Sequence, residues 1–115
     1  RAFANAAVLI GTTATPPELL DILKAIERKF GVRRGRRWSA RTLDLDLILW
    51  SGGVYASRNL TIPHALFRER DFVLRPVSAI SPAWIDPVTG RTIRQLFAAI
   101  QKSIPKIVDR FHSSD

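Results

Sequence analysis

The chain contains no cysteine. That removes disulfides, thiolate metal sites and cysteine nucleophiles together. Acidic residues are also scarce, with ten Asp plus Glu against eighteen Lys plus Arg. No apolar run approaches the ~18 residues that span a bilayer. No basic-then-apolar leader with a small-residue cleavage site is visible. These absences predict a membrane-free protein at a cytoplasmic address. Internal repeats and low-complexity linkers are absent as well.

What remains is 115 residues, 12.9 kDa, 46% hydrophobic and 24% charged. That is one small globular domain with a modest core. The net charge of +8 is concentrated. Residues 28–41 hold Arg28, Lys29, Arg33, Arg34, Arg36, Arg37 and Arg41 and no acid. A focused cationic segment points to an anionic partner: nucleic acid, phosphate or anionic lipid. The chain opens at Arg1 and runs straight into an apolar stretch. That reads as a strand already under way, so a processed chain or a fragment is expected.

Residues 3–10 read as a strand closed by Gly11-Thr12-Thr13. Thr15, Pro16 and Glu18 make an N-cap, a first-turn proline and a capping box. Leu19, Ile22, Leu23, Ile26 and Phe30 then recur at helical spacing, with Gly31 as the expected stop. Residues 32–41 read as a basic loop. Thr42 to Leu49 alternate almost strictly, placing Leu43, Leu45, Leu47 and Leu49 on one face of a strand and Asp44 and Asp46 on the other. A turn at 50–53 leads into a short hairpin through Val54-Tyr55. Residues 58–64 are extended, and a short helix lies near 65–70. Pro76, Pro82 and Pro87 keep 75–90 irregular, with a turn at 86–90. Thr92 opens a last helix to about Gln101, and 106–115 is a weak strand or a tail.

Asp44 and Asp46 carry the sharpest chemical signal. On one strand face they lie about 6.5–7 Å apart along the backbone. Their mutual repulsion is of order 2 kcal/mol at an effective dielectric near 20. A compensating cation relieves it, and Mg²⁺, which is commonly held by one or two carboxylates plus substrate phosphates, fits. A solvated outer face of an edge strand fits the alternation equally well. The arginine run by itself suits a solvated loop or a nucleic-acid arm. Placed next to paired carboxylates, it instead resembles the layout of phosphoryl-type transfer, with Arg for phosphate and Asp for metal. A pure nucleic-acid arm has no use for the acidic pair. Thr61-Ile62-Pro63-His64 with Arg68 and Arg70 form a third group.

Arg41-Thr42-Leu43-Asp44-Leu45-Asp46-Leu47-Ile48 closely resembles the signature of the 6-hydroxymethyl-7,8-dihydropterin pyrophosphokinase family. Arg37-Trp38, Leu60-Thr61-Ile62-Pro63-His64, Phe3-x-Asn5-Ala6 and Arg70-x-Phe72-x-Leu74 keep the family's order and spacing. The resemblance implies a ferredoxin-like α+β sandwich of an antiparallel sheet and helices. It implies diphosphate transfer from ATP to the hydroxymethyl group of the dihydropterin, with two Mg²⁺ ions and release of AMP, in folate biosynthesis. Asp44 and Asp46 match the metal-binding aspartates. Phe3, Asn5, Trp38 and Phe72 match pterin-side positions. Glu27, Arg33, Arg34, Arg41, Thr61, His64 and Arg70 match nucleotide-side positions, with Arg33, Arg34 and Arg41 on the phosphates.

Set against the family, the chain lacks a leading strand, helix and second strand, so a partial domain across 1–115 is expected. Val32, Ser39-Ala40 and Ala65 depart from the usual residues of the loop and adenine side. Two other readings stand beside the enzyme. One is a basic nucleic-acid-binding module built on 28–41. The other is an inactive member that folds by self-association, pairing with another chain.

Overall fold

The computed structural model describes residues 4–34 and 43–103. It is α+β: helix α1 (Pro16–Arg34), strands β1 (Tyr55–Ala56) and β2 (Thr61–Ile62), a 3-10 turn (Phe67–Glu69), and helices α2 (Asp71–Ile80) and α3 (Ile93–Ser103). Among the described residues, no helix is long and apolar enough to cross a membrane. The chain divides into two compact units, Ile10–Ala65 and Leu66–Asp115 together with Arg1–Leu9.

In the first unit, α1 starts where the sequence places it. The Thr15 N–H donates to Glu18 Oε1 at 2.8 Å, and the Glu18 N–H donates to Thr15 Oγ1 at 3.3 Å. Two donors at the helix start are thereby satisfied reciprocally. The Thr15 bonds also lower the Glu18 carboxyl from its ordinary value. The helix runs past Gly31 to Arg34. Glycine there costs a helix about 1 kcal/mol relative to alanine, too little to terminate one already 15 residues long.

Residues 43–47 keep the expected alternation in burial, Ile48 is half-buried like its neighbours Leu47 and Leu49, and the expected strand does not form. Leu43, Leu45 and Leu47 are half-buried and Asp44 and Asp46 exposed, with no ladder partner among the described residues. Residues 4–10 likewise lie in no strand, with Val8, Leu9 and Ile10 exposed. Alternation specifies which face is apolar; a strand also needs a neighbour to hydrogen-bond. The hairpin forms downstream instead. Tyr55 pairs with Ile62 and Ala56 with Thr61, antiparallel. Trp50 to Gly53 make the expected turn, closed by Gly53 N–H to Trp50 O at 3.0 Å, with Gly53 at φ +98°. The Trp50 and Tyr55 rings meet edge to face at 6.4 Å.

The second unit holds a packed core of Phe67, Leu74, Val77, Ile93 and Leu96. Here α2 replaces the irregular stretch expected at 75–80. Pro76 sits inside it, removing one helical donor and crowding the preceding turn, at about 3 kcal/mol. Burial of Leu74 and Val77 against α3 returns roughly 1.5–3 kcal/mol each. Asp71 adds an exposed pair with Arg75 one turn on, at 3.2 Å. Tertiary packing therefore outweighs the local penalty. A second capping box opens α3: Thr92 N–H to Gln95 Oε1 at 2.9 Å, and Gln95 N–H to Thr92 Oγ1 at 3.1 Å.

Candidate functional site

The acidic pair lies in the unit Ile10–Ala65. Half-buried leucines on either side of each aspartate turn one face inward and leave both carboxylates in solvent. Two contacts fix this segment's backbone. The Leu45 N–H, between the two aspartates, donates to Glu27 Oε2 of α1 at 2.6 Å. The Ile48 carbonyl accepts from the His64 N–H at 3.0 Å. His64 is half-buried just after β2, and Thr61 is exposed within it. Asp44, Asp46, Glu27, Thr61 and His64 thus belong to one unit; the Glu27 side chain and the His64 N–H hold the segment that carries the two aspartates. No group of three or more acidic or histidine ligands exists among the described residues. Two solvent-facing carboxylates are nevertheless the oxygen-only donor set that Mg²⁺ takes when phosphates complete its shell.

The other unit carries Asn5, Arg70 and Phe72. Asn5 is exposed. Arg70 precedes α2, and its carbonyl accepts from the Val73 and Leu74 N–H groups at 3.0 and 2.9 Å. Its guanidinium lies 5.7 Å from the centre of the Phe72 ring. Phe72, on the first turn of α2, is 51% exposed. An aromatic face open to solvent and backed by a cation is a platform for a planar ligand.

Phe3, Trp38 and Arg41 lie outside the described residues, as does the basic segment from Gly35 to Thr42. Arg33 and Arg34 form the last residues of α1.

One constellation was not assembled from sequence. Asp86 is fully buried, and Arg68 donates to it through Nε at 2.5 Å and Nη2 at 2.8 Å. Thr89 Oγ1 and the Val88 N–H add bonds of 2.7 and 3.0 Å. The Arg68 bonds, with help from Thr89 and Val88, outweigh burial and hold the Asp86 carboxyl well below the usual carboxylate range. Arg68 is correspondingly pushed up. The guanidinium also lies 4.7 Å from the centre of the Phe67 ring. Asp86-Pro87-Val88-Thr89-Gly90 is legible as a turn, with Gly90 at φ +75°. Its partner 18 residues upstream is not.

Fold and exposed acidic segment together define a small α+β protein with a paired-carboxylate face. The family follows from comparison with known proteins. The family model for 7,8-dihydro-6-hydroxymethylpterin-pyrophosphokinase matches residues 1–82. The chain belongs to that family. It is 45% identical over 98 residues to the 2-amino-4-hydroxy-6-hydroxymethyldihydropteridine pyrophosphokinase of Synechocystis, covering 85% of this chain and 50% of the relative. The enzyme of the same name from Methylorubrum extorquens is 39% identical over 101 residues, covering 88% and 63%. That from Haemophilus influenzae is 40% identical over 85 residues, covering 74% and 53%. The chain thus spans about half to two-thirds of the length of these curated relatives.

Proposed function

We propose that this protein catalyses diphosphate transfer from ATP to the hydroxymethyl group of 6-hydroxymethyl-7,8-dihydropterin in folate biosynthesis, in the cytoplasm. The observation that carries this reading is the Asp44/Asp46 pair: two solvent-facing carboxylates on one side of a leucine-anchored segment, in a chain of this family. The hydroxymethyl oxygen bonds to the β-phosphorus of ATP, the bond from that phosphorus to the α,β-bridging oxygen breaks, and AMP departs. The hydroxyl proton passes to solvent.

Asp44 and Asp46 would hold two Mg²⁺ ions. Held there, Mg²⁺ would supply charge neutralisation for the phosphates. Arg41, with Arg33 and Arg34, meets the charge that builds on the transferred group. Phe72 and Phe3 stack on the pterin, Asn5 hydrogen-bonds its edge, and Trp38 is a further pterin-side residue. Thr61, His64 and Arg70 contact the nucleotide. The protein's task is alignment and charge compensation, and no nucleophilic side chain is required.

The test is AMP release from Mg-ATP and the hydroxymethyl dihydropterin. AMP is the expected product; ADP, or no nucleotide product, rejects the reading. Steep linear loss of RNA or DNA affinity with log salt would instead favour a nucleic-acid module on residues 28–41. Val8, Leu9 and Ile10, 81%, 65% and 54% exposed, support self-association as well. Sedimentation is expected to show more than monomer, and a clean monomer at high concentration rejects it.

A further inference from the structure

Glu27 occupies an unexpected position for a nucleotide ligand. Its side chain is only 20% exposed, against 58% for Lys24 one turn earlier. Both of its oxygens have protein partners: Oε2 takes the Leu45 N–H at 2.6 Å, and Oε1 lies 3.8 Å from Lys24 Nζ. The short bond is charge-assisted, the stronger kind. It reaches the one residue whose backbone separates Asp44 from Asp46.

We infer that Glu27 is a positioning residue: its carboxylate, carried on α1, clamps the main chain between Asp44 and Asp46 and sets the spread of the two carboxylates that receive a divalent cation. This rests on the reading of Asp44 and Asp46 as metal ligands. Among the described residues the segment has no ladder neighbour, so without Glu27 the Leu45 amide would have no hydrogen-bond partner among them and its torsions would be freer. Fixing that amide fixes the torsions on both sides of it, hence the directions of the flanking side chains. Groups that orient metal ligands in this way typically change metal affinity 10–100-fold when removed.

Three variants of the full chain separate this role from a nucleotide contact. Glu27→Gln keeps an acceptor oxygen at the same reach. Glu27→Asp keeps the charge and shortens the reach. Glu27→Ala removes both. Two properties are read: hydrogen exchange at the Leu45 amide, and binding of Mn²⁺ alone by its electron paramagnetic resonance signal. In the wild type the Leu45 amide should exchange at least ~10-fold more slowly than those of Asp44 and Asp46. Glu27→Ala and Glu27→Asp should each abolish that protection and weaken Mn²⁺ about 10-fold or more, while Glu27→Gln stays within about 3-fold of wild type. Unchanged Mn²⁺ affinity in Glu27→Asp, or a loss in Glu27→Gln equal to that in Glu27→Ala, overturns the inference. So does an unprotected Leu45 amide in the wild type, a measurement that needs no variant to fold. A wild-type chain that protects Leu45 but fails to bind Mn²⁺ rejects the metal reading itself and the inference with it.

Discussion

The two units spend their interactions differently. Leu66–Asp115 buries Phe67, Leu74, Val77, Ile93 and Leu96 and fastens one turn with a buried ion pair. Among the described residues of Ile10–Ala65 the buried ones are Pro16, Ile62 and Pro63, while Ile22 and Ile26 on α1 remain exposed. The unit with the acidic pair is held by bonds to single backbone groups: Glu27 on Leu45, and Ile48 on His64. The larger core and the acidic pair therefore reside in different parts of the chain. Substitutions of the core residues should register mainly as stability, and those of the acidic pair mainly as function.

The largest expected effect tests that division directly. Asp44→Ala or Asp46→Ala should lower AMP formation by about 10³-fold or more, because the proposed charge-neutralising metal would lose a ligand. The unfolding midpoint should move little, since both side chains are exposed. Wild-type turnover in either variant would sink the metal assignment.

Next in size is the opposite case. Asp86→Ala leaves Arg68 without its buried partner and should cost about 3 kcal/mol, the low end for such a break because Arg68 is one-quarter exposed. Asp86 also predicts an acid limb. Its folded carboxyl titrates well below the unfolded value of about 3.9. Its stabilisation is thus complete above that value and is lost as pH falls from there toward the folded one. Denaturant midpoints between pH 5 and 2 should fall in the wild type and flatten in Asp86→Asn. A wild-type limb that persists in the variant would assign acid sensitivity elsewhere.

Arg41→Ala should slow the chemical step by about 10²-fold, from loss of the proposed contact to developing charge. Single-turnover measurement checks it, and an unchanged rate rejects the role. The smallest effects sharpen the comparison most. Removing a cap costs about 1 kcal/mol in either helix. Thr92→Ala should lower the midpoint of the whole core, whereas Thr15→Ala should raise amide exchange along α1 and leave the core midpoint nearly unchanged. Equal global losses would mean that the two units unfold as one.

Much of this was legible because it is local. Thr15-x-x-Glu18, the Thr92 start, the Leu43–Leu47 alternation and the Asp86–Gly90 turn each close within a few residues. What escaped depends on distant partners. Pro76 reads as a breaker until Leu74 and Val77 meet α3. Residues 3–10 and 42–49 read as strands because an apolar pattern records faces and is silent about neighbours. The Glu27–Leu45 and Arg68–Asp86 bonds each span 18 residues, and no spacing rule pairs them. Among the candidate site residues, the aspartates were readable from their motif and their exposure, while Glu27's attachment to the chain between them required coordinates.

The edge-to-face contact of Trp50 with Tyr55 has a practical consequence. Trp84, whose carbonyl accepts the Ile93 N–H at the start of α3, is the described tryptophan of the other unit. Each unit therefore carries its own fluorophore. In a Trp38→Phe background, replacing Trp50 or Trp84 in turn would leave one emitter per unit. Two overlapping emission transitions would reveal a single cooperative particle, and two separate ones a molecule that melts in halves.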